Sequence, residues 1–135
     1  MDESRAWERL RAAQVGRLAT ADAGGIPHVV PFVFAALGST VYWVVDAKPK
    51  RSPRLKRIAN IQANPNVELV VDHYDDDWSR LWWVRASGTG RIVEDSAERD
   101  RAVAALAEKY VTYRTTPPDG QVVAIDVTRI RGWEA

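Results

Sequence analysis

The chain contains no cysteine, which excludes disulfide scaffolds, thiolate metal sites and cysteine nucleophiles together. Histidine is nearly as scarce. With only His28 and His73, a multi-histidine metal site would need two symmetry-related chains, and no metal is expected. No apolar run approaches the ~18 residues of a membrane span, and no N-terminal stretch has the basic, apolar, small order of a secretory leader. Formal net charge is only +1, which points away from a wholesale nucleic-acid or membrane binder. Together these absences suggest a cytoplasmic protein. Chemical motifs are missing too: there is no G-x-S-x-G, no Walker sequence, no G-x-G-x-x-G and no internal repeat.

What the chain does have is a core. Its 135 residues are 46% apolar and 27% charged, enough for one domain over residues 1–135 and too little for two. Six tryptophans are present, and Trp78, Trp82 and Trp83 stand close together. Charge is segregated as well. Lys48, Lys50, Arg51, Arg54, Lys56 and Arg57 follow one another with no acid between them, whereas Asp72, Asp75, Asp76 and Asp77 cluster without a lysine or arginine.

Periodicity predicts a helix over 4–14, capped by Ser4, with Trp7 and Leu10 on one face. Three strands follow as a meander, over 16–21, 26–36 and 41–45, joined by turns at Asp22-Ala23-Gly24-Gly25 and Gly38-Ser39. Pro31 cannot donate a ladder bond, so an edge, a bulge or a break is expected there. Ser52-Pro53 reads as a helix start and Asn64-Pro65 as its stop, with Leu55, Ile58, Ala59 and Gln62 as the buried stripe and Ile61 beside it. A strand over 67–71 precedes the acidic loop. A long strand over 81–93 then passes through Ser87-Gly88-Thr89-Gly90, where a bulge is expected. Asp95 and Glu98 offer a capping box for a helix whose stripe is Val103, Leu106, Ala107 and Tyr110. The last strand runs from Val122 toward Trp133. The fold class is mainly β, with about six antiparallel strands closing on themselves and about three peripheral helices.

The basic run is the strongest chemical signal. A helix N-terminus carries roughly +0.5 charge and unpaired N–H groups, so cations placed there are disfavoured unless an anion such as phosphate docks on the end. A solvated basic face explains the charge alone equally well.

The order of elements adds to this. Gly16-Arg17-Leu18-Ala19-Thr20, Gly25-Ile26-Pro27-His28-Val29-Val30-Pro31, Lys56-Arg57 before Asn64-Pro65, and Trp83-Val84-Arg85-Ala86-Ser87-Gly88 resemble the flavin-binding split β-barrel family. That is the superfamily of pyridoxamine-phosphate oxidase and its deazaflavin-using relatives. The resemblance implies a split β-barrel homodimer with the cofactor at the subunit interface. In the pyridoxamine-phosphate branch an Arg-Lys pair eight and nine residues before the Asn-Pro proline holds the flavin phosphate, and Arg57 and Lys56 occupy those positions. That branch places a glutamine where Trp83 stands, and its basic loop is shorter. The deazaflavin branch accounts better for the excess charge. Coenzyme F420 continues from its phosphate into an oligoglutamate tail, for which Lys48, Lys50, Arg51 and Arg54 supply cations. The reaction implied is hydride transfer to a small conjugated acceptor, the protein orienting ring and substrate. FMN is the alternative cofactor.

Other residues carry open readings. Trp78, Trp82 and Trp83 could wall a planar ligand or pack in the core, with Trp78 in a polar loop. Pro31 is carried as a cofactor-cleft residue. His28 and His73 are either strand histidines or axial ligands of a heme-storing module. Asp75, Asp76 and Asp77 read as a solvated loop, or one that meets basic residues across a dimer. Tyr110 reads as packing and Tyr113 as a candidate proton donor. A nucleic-acid binder using the basic loop with tryptophan stacking is a further reading, weakened by the acidic loop nearby. Finally, so small a barrel is not expected to cover Phe32, Phe34, Trp43, Trp82 and Trp83 all internally, which again points to a second copy.

Overall fold

The structure, a computed structural model, describes residues 1–45 and 53–135, with residues 53–55 as backbone only. Helix α1 is Glu3–Ala12. Its cap is Asp2 rather than Ser4, the carboxylate accepting the Arg5 N–H at 2.8 Å. The earlier start turns Ala6 and Leu10 into the sheet and leaves Trp7 at the margin. Strands β1 (Gly16–Ala21) and β2 (Pro27–Phe32) form a hairpin. The expected meander stops there. After Phe32 the chain leaves β2 and forms β3 (Ala35–Leu37), which pairs with β4 (Thr40–Val44). The remaining elements are α2 (Pro53–Ala63), β5 (Asn66–His73), a 3-10 turn at Trp78–Arg80, β6 (Trp82–Ile92), α3 (Ser96–Lys109), α4 (Val111–Thr115) and β7 (Val122–Glu134). The described residues thus hold seven strands rather than about six, and four α-helices rather than about three.

All pairings are antiparallel, in the order β2-β1-β5-β6-β7-β4-β3. That order forces a barrel. Strands β2 and β3 are the two edges, yet only Val33 and Phe34 separate them in sequence, a reach of about 11 Å over three Cα steps. A flat seven-stranded sheet would hold its edges roughly 29 Å apart. The sheet therefore curls until its edges meet, leaving a split at Val33-Phe34. Pro31 sits on the edge strand β2, where its missing N–H costs no ladder bond.

Helix α3 latches the split. The Phe34 N–H donates to the Tyr110 hydroxyl at 3.1 Å, and Lys109 Nζ donates to the Phe34 carbonyl at 2.9 Å. Tyr110 is thus an anchor of the backbone rather than simple packing. Burial against the Phe34 ring pulls the Lys109 amine down to about 8. Phe34 itself is fully enclosed and stacks on Phe32.

Curling also divides the five aromatic residues that one barrel was not expected to cover in full. Phe32, Phe34 and Trp43 all lie inside the barrel of this one chain, and only Trp82 and Trp83 are partly open. The α2 stripe is rotated too: Ile58, Asn60 and Ile61 face the sheet, while Ala59 and Gln62 face out. In α3 the fully buried residues are Ala102 and Leu106, with Val103 and Ala107 at the margin.

Asp95 caps α3 as expected, accepting the Glu98 N–H at 2.8 Å. The Glu98 side chain does not close the box. It accepts two bonds from Arg91 and one from the Tyr42 hydroxyl, tying α3 to β6 and β4. Arg91 also bonds Asp126 on β7. These bonds, Arg91 first, hold the Glu98 carboxyl at about 2, below its usual 4.5. Its contribution to stability is complete above pH 4.5 and is lost as pH falls toward 2. Arg91→Ala is expected to raise the pH midpoint of acid unfolding, measured by circular dichroism between roughly pH 2 and 6. An unchanged midpoint would show that the network carries no acid sensitivity.

Candidate functional site

The end of α2 gathers polar groups against the barrel. The helix opens at Pro53 with no acid in its first turn. Lys56 is exposed, and the Arg57 side chain, half-buried, lays its guanidinium 5.3 Å over the Trp43 ring. Arg57 is therefore packed, not part of an exposed turn. Trp43 comes from β4 and is 2% exposed, and its indole Nε1 is buried with no acceptor among the described residues. One helical turn on, Asn60 is equally buried and donates to the Thr20 hydroxyl at 3.1 Å. His28 stands directly across from Thr20 in the β1–β2 register, and its Nε2 is likewise buried without a partner.

A buried donor left unpaired costs about 1–3 kcal/mol. An acceptor-rich anionic group at this helix end would satisfy the indole N–H, add charge-assisted bonds to Lys56 and Arg57, and meet the helix N–H groups. The residues present fit the phosphate of a flavin-type cofactor. In the sequence Trp43 stands out only as one of the aromatic residues too many for one barrel to cover, not as a donor to a bound group. Its signal was available, since a tryptophan N–H on an apolar strand must find a partner.

The other expected site residues lie elsewhere. Pro31 is exposed on the outer face of β2. Trp83 is half-buried on the outer face of β6, under the Arg85 guanidinium at 5.4 Å and across from Trp133 of β7. Trp78 is 69% exposed on the 3-10 turn, its Nε1 donating to the Tyr74 hydroxyl at 3.5 Å. Within one chain these aromatic residues do not share a face with Lys56 and Arg57. Lys48, Lys50 and Arg51 fall outside the described residues, as does the Ser52 cap, and Arg54 is placed by its backbone alone.

The acidic loop is built from its own aspartates. Asp77 accepts the Ser79 hydroxyl and N–H, which holds its carboxyl below the ordinary range. Asp75 accepts the Asp77 N–H and lies 3.5 Å from the Arg80 guanidinium and 3.7 Å from His73. His73 also stacks on Trp82. Tyr113 sits on α4 with its ring edge-on to Tyr110.

The family model for pyridoxamine 5'-phosphate oxidase matches residues 2–134. The chain belongs to this family. Its split barrel is accordingly the flavin-binding fold that the resemblance implied, and members of the family include oxidases. No curated protein matches the chain in sequence. Among solved structures, a conserved hypothetical protein of Mycobacterium tuberculosis is similar at TM-score 0.80 and 21% identity, over 99% of this chain and 85% of that one. A protein of Mesorhizobium loti described as FAD-binding is similar at TM-score 0.76 and 25% identity, over 100% and 96%. A heme storage protein of Vibrio cholerae shares the fold at TM-score 0.71 and 15% identity, over 98% and 93%. Among the described residues no helix is long and apolar enough to cross a membrane.

Proposed function

We propose that the protein is a homodimeric oxidoreductase that binds coenzyme F420 between two copies and reduces a small conjugated organic acceptor. The observation that carries this reading is the α2 end, where Arg57 covers an indole whose N–H has no acceptor among the described residues. Lys56 and Arg57 hold the cofactor phosphate, with the Trp43 N–H as a third donor. Lys48, Lys50 and Arg51 stand just before the helix in sequence, where cations would meet a polycarboxylate tail. The bound deazaflavin supplies hydride. This chain's own part is to fix the ring and exclude water.

A second copy completes the site. The outer face of β2 exposes Val29 at 62%, with Ile26 at 63% beside it and Pro27 and Pro31 alternating along the strand. Covering this stripe with an identical copy buries apolar surface, and the partner's tryptophans then supply the ring walls that one chain does not bring to α2. FMN is the second reading, favoured by the FAD-binding description of the Mesorhizobium loti neighbour.

Three measurements on the purified protein test this. Small molecules released on denaturation are identified by absorption and mass. The protein is titrated separately with coenzyme F420 and FMN, and its sedimentation is expected at about twice 15.1 kDa. Binding of neither cofactor, a heme absorption band, or a monomer that still binds would each overturn the reading.

A further inference from the structure

We infer that Lys109 is a nucleophilic amine and an acyl-acceptor site, placed at the split between β2 and β3. Lysine is scarce in this chain. Of its 19 lysines and arginines only Lys48, Lys50, Lys56 and Lys109 are lysine, and the first three belong to the basic run. Everywhere else the chain uses arginine. A guanidinium stays charged at any working pH, whereas a lysine gives up its proton readily when desolvated. Lys109 is also placed where a charge is poorly balanced. It is half-buried at the end of α3, its Nζ donating to the Phe34 carbonyl at 2.9 Å. That nitrogen stands 4.1 Å from the Phe34 ring centroid and 5.4 Å from that of Tyr110.

The elements packed against α3 bring mostly neutral groups to this end. Strand β3 is Ala35–Leu37, and the Tyr42 phenol of β4 is turned to Glu98 at the other end of the helix. Helix α4 brings Tyr113, edge-on to Tyr110, and its one cation, Arg114, folds back onto the Ala107 and Glu108 carbonyls. The Gln14 carbonyl accepts from the Tyr110 hydroxyl, whose proton burial holds more tightly than usual. On α3 itself Glu108 is the neighbouring carboxylate, yet among the described residues no carboxylate lies within ion-pair distance of Lys109. The face of the Phe34 ring attracts an ammonium, but it supplies no net charge, and burial holds the amine at about 8. An ordinary lysine titrates at about 10.4, so Lys109 carries far more free amine near neutral pH. Its lone pair can then attack an acyl carbon. With an acyl phosphate, the C–N bond forms as the C–O bond to phosphate breaks. Phosphate leaves with the electron pair, and the amine proton passes to water. The product amide is neutral and keeps one N–H for the Phe34 carbonyl. An aldehyde would instead leave an iminium, whose charge nothing here balances, so the site suits acyl donors.

The inference does not rest on the proposed function, and its test keeps the two apart. The whole protein is incubated with acetyl phosphate between roughly pH 7 and 10, and acetylation of each lysine is followed by peptide mass spectrometry. At pH values near 8, Lys109 is expected to react about fivefold faster than exposed Lys56, or more. Its rate is expected to level off above about 8, where most of the amine is already free. Lys109→Arg keeps a donor for the Phe34 carbonyl but cannot be acylated in this way. It is expected to fold like the wild type by circular dichroism and to lose the fast phase, with labelling of Lys56 unchanged. Lys56→Ala with Arg57→Gln should leave the fast phase intact. The wild-type rates stand as a test even where a variant folds poorly. Reaction at Lys109 no faster than at Lys56, a Lys109 rate still climbing about tenfold per pH unit near pH 10, a fast phase that survives Lys109→Arg, or its loss in the α2 variant would each overturn the site.

Discussion

Replacing Gly88 by alanine is expected to destabilise the protein by about 3 kcal/mol, the upper part of the range for overpacking. For a chain of this length that is a fall of roughly 10 °C in melting temperature. Gly88 lies at the register shift of β6, beside Ser87. A Cβ there would land on the Asp126 carbonyl oxygen, with the Asp126 carbonyl carbon at 3.0 Å and Ile125 Cγ2 at 3.1 Å. Two of those three atoms are backbone of β7, which is paired on both sides, by β6 and β4, so it cannot yield without loosening both ladders. Gly90→Ala provides the contrast. Its new methyl would meet only the Ile61 side chain, nearest at 3.0 Å, which has rotamer freedom to move, so the loss should be smaller by about half or more. Calorimetric melts of the two variants check this, and equal melting temperatures would refute the backbone explanation.

Removing the two cations of the α2 end should weaken cofactor binding at least tenfold, a loss of about 1.4 kcal/mol or more. Because Arg57 covers Trp43, truncating it to alanine would also strip packing. The informative variant is therefore Lys56→Ala with Arg57→Gln, monitored by melting temperature alongside titration. Charge neutralisation at Lys48, Lys50 and Arg51 should act differently, weakening coenzyme F420 more than FMN, with the gap closing as salt rises. Equal losses for both ligands would remove the tail-groove reading. Undiminished titration curves in the α2 variant would remove the phosphate assignment itself.

Local chemistry was legible in the chain wherever one short segment decides the outcome. Pro31 lies on an edge strand, Asp95 caps α3, β5 begins just past Asn64-Pro65, and the bulge falls at Ser87-Gly88. Each follows from a missing donor, a side-chain acceptor or a backbone clash within a few residues. The basic helix start was equally visible, because charge order is a property of sequence alone. Position along a helix was less so. Asn60 and Ile61 face inward in place of Ala59 and Gln62, since the stripe's rotation depends on which strands α2 meets.

Only the tertiary structure decided where β2 and β3 go. They are consecutive in sequence and occupy opposite edges of the sheet, and closing the barrel between them draws Phe32, Phe34 and Trp43 inside one chain. The same closure sets Arg57 over Trp43 and the cross-strand register sets Arg85 against Arg131. These residues are separated by many positions in the chain, and their meeting depends on long-range strand pairing that no local pattern encodes. The sequence by itself determined most of the elements, the family and the charged helix start, because those rest on short-range chemistry, whereas the division of 26–36 into β2 and β3 came with closure of the barrel. The candidate anion site at the α2 end exists only once that sheet has curled.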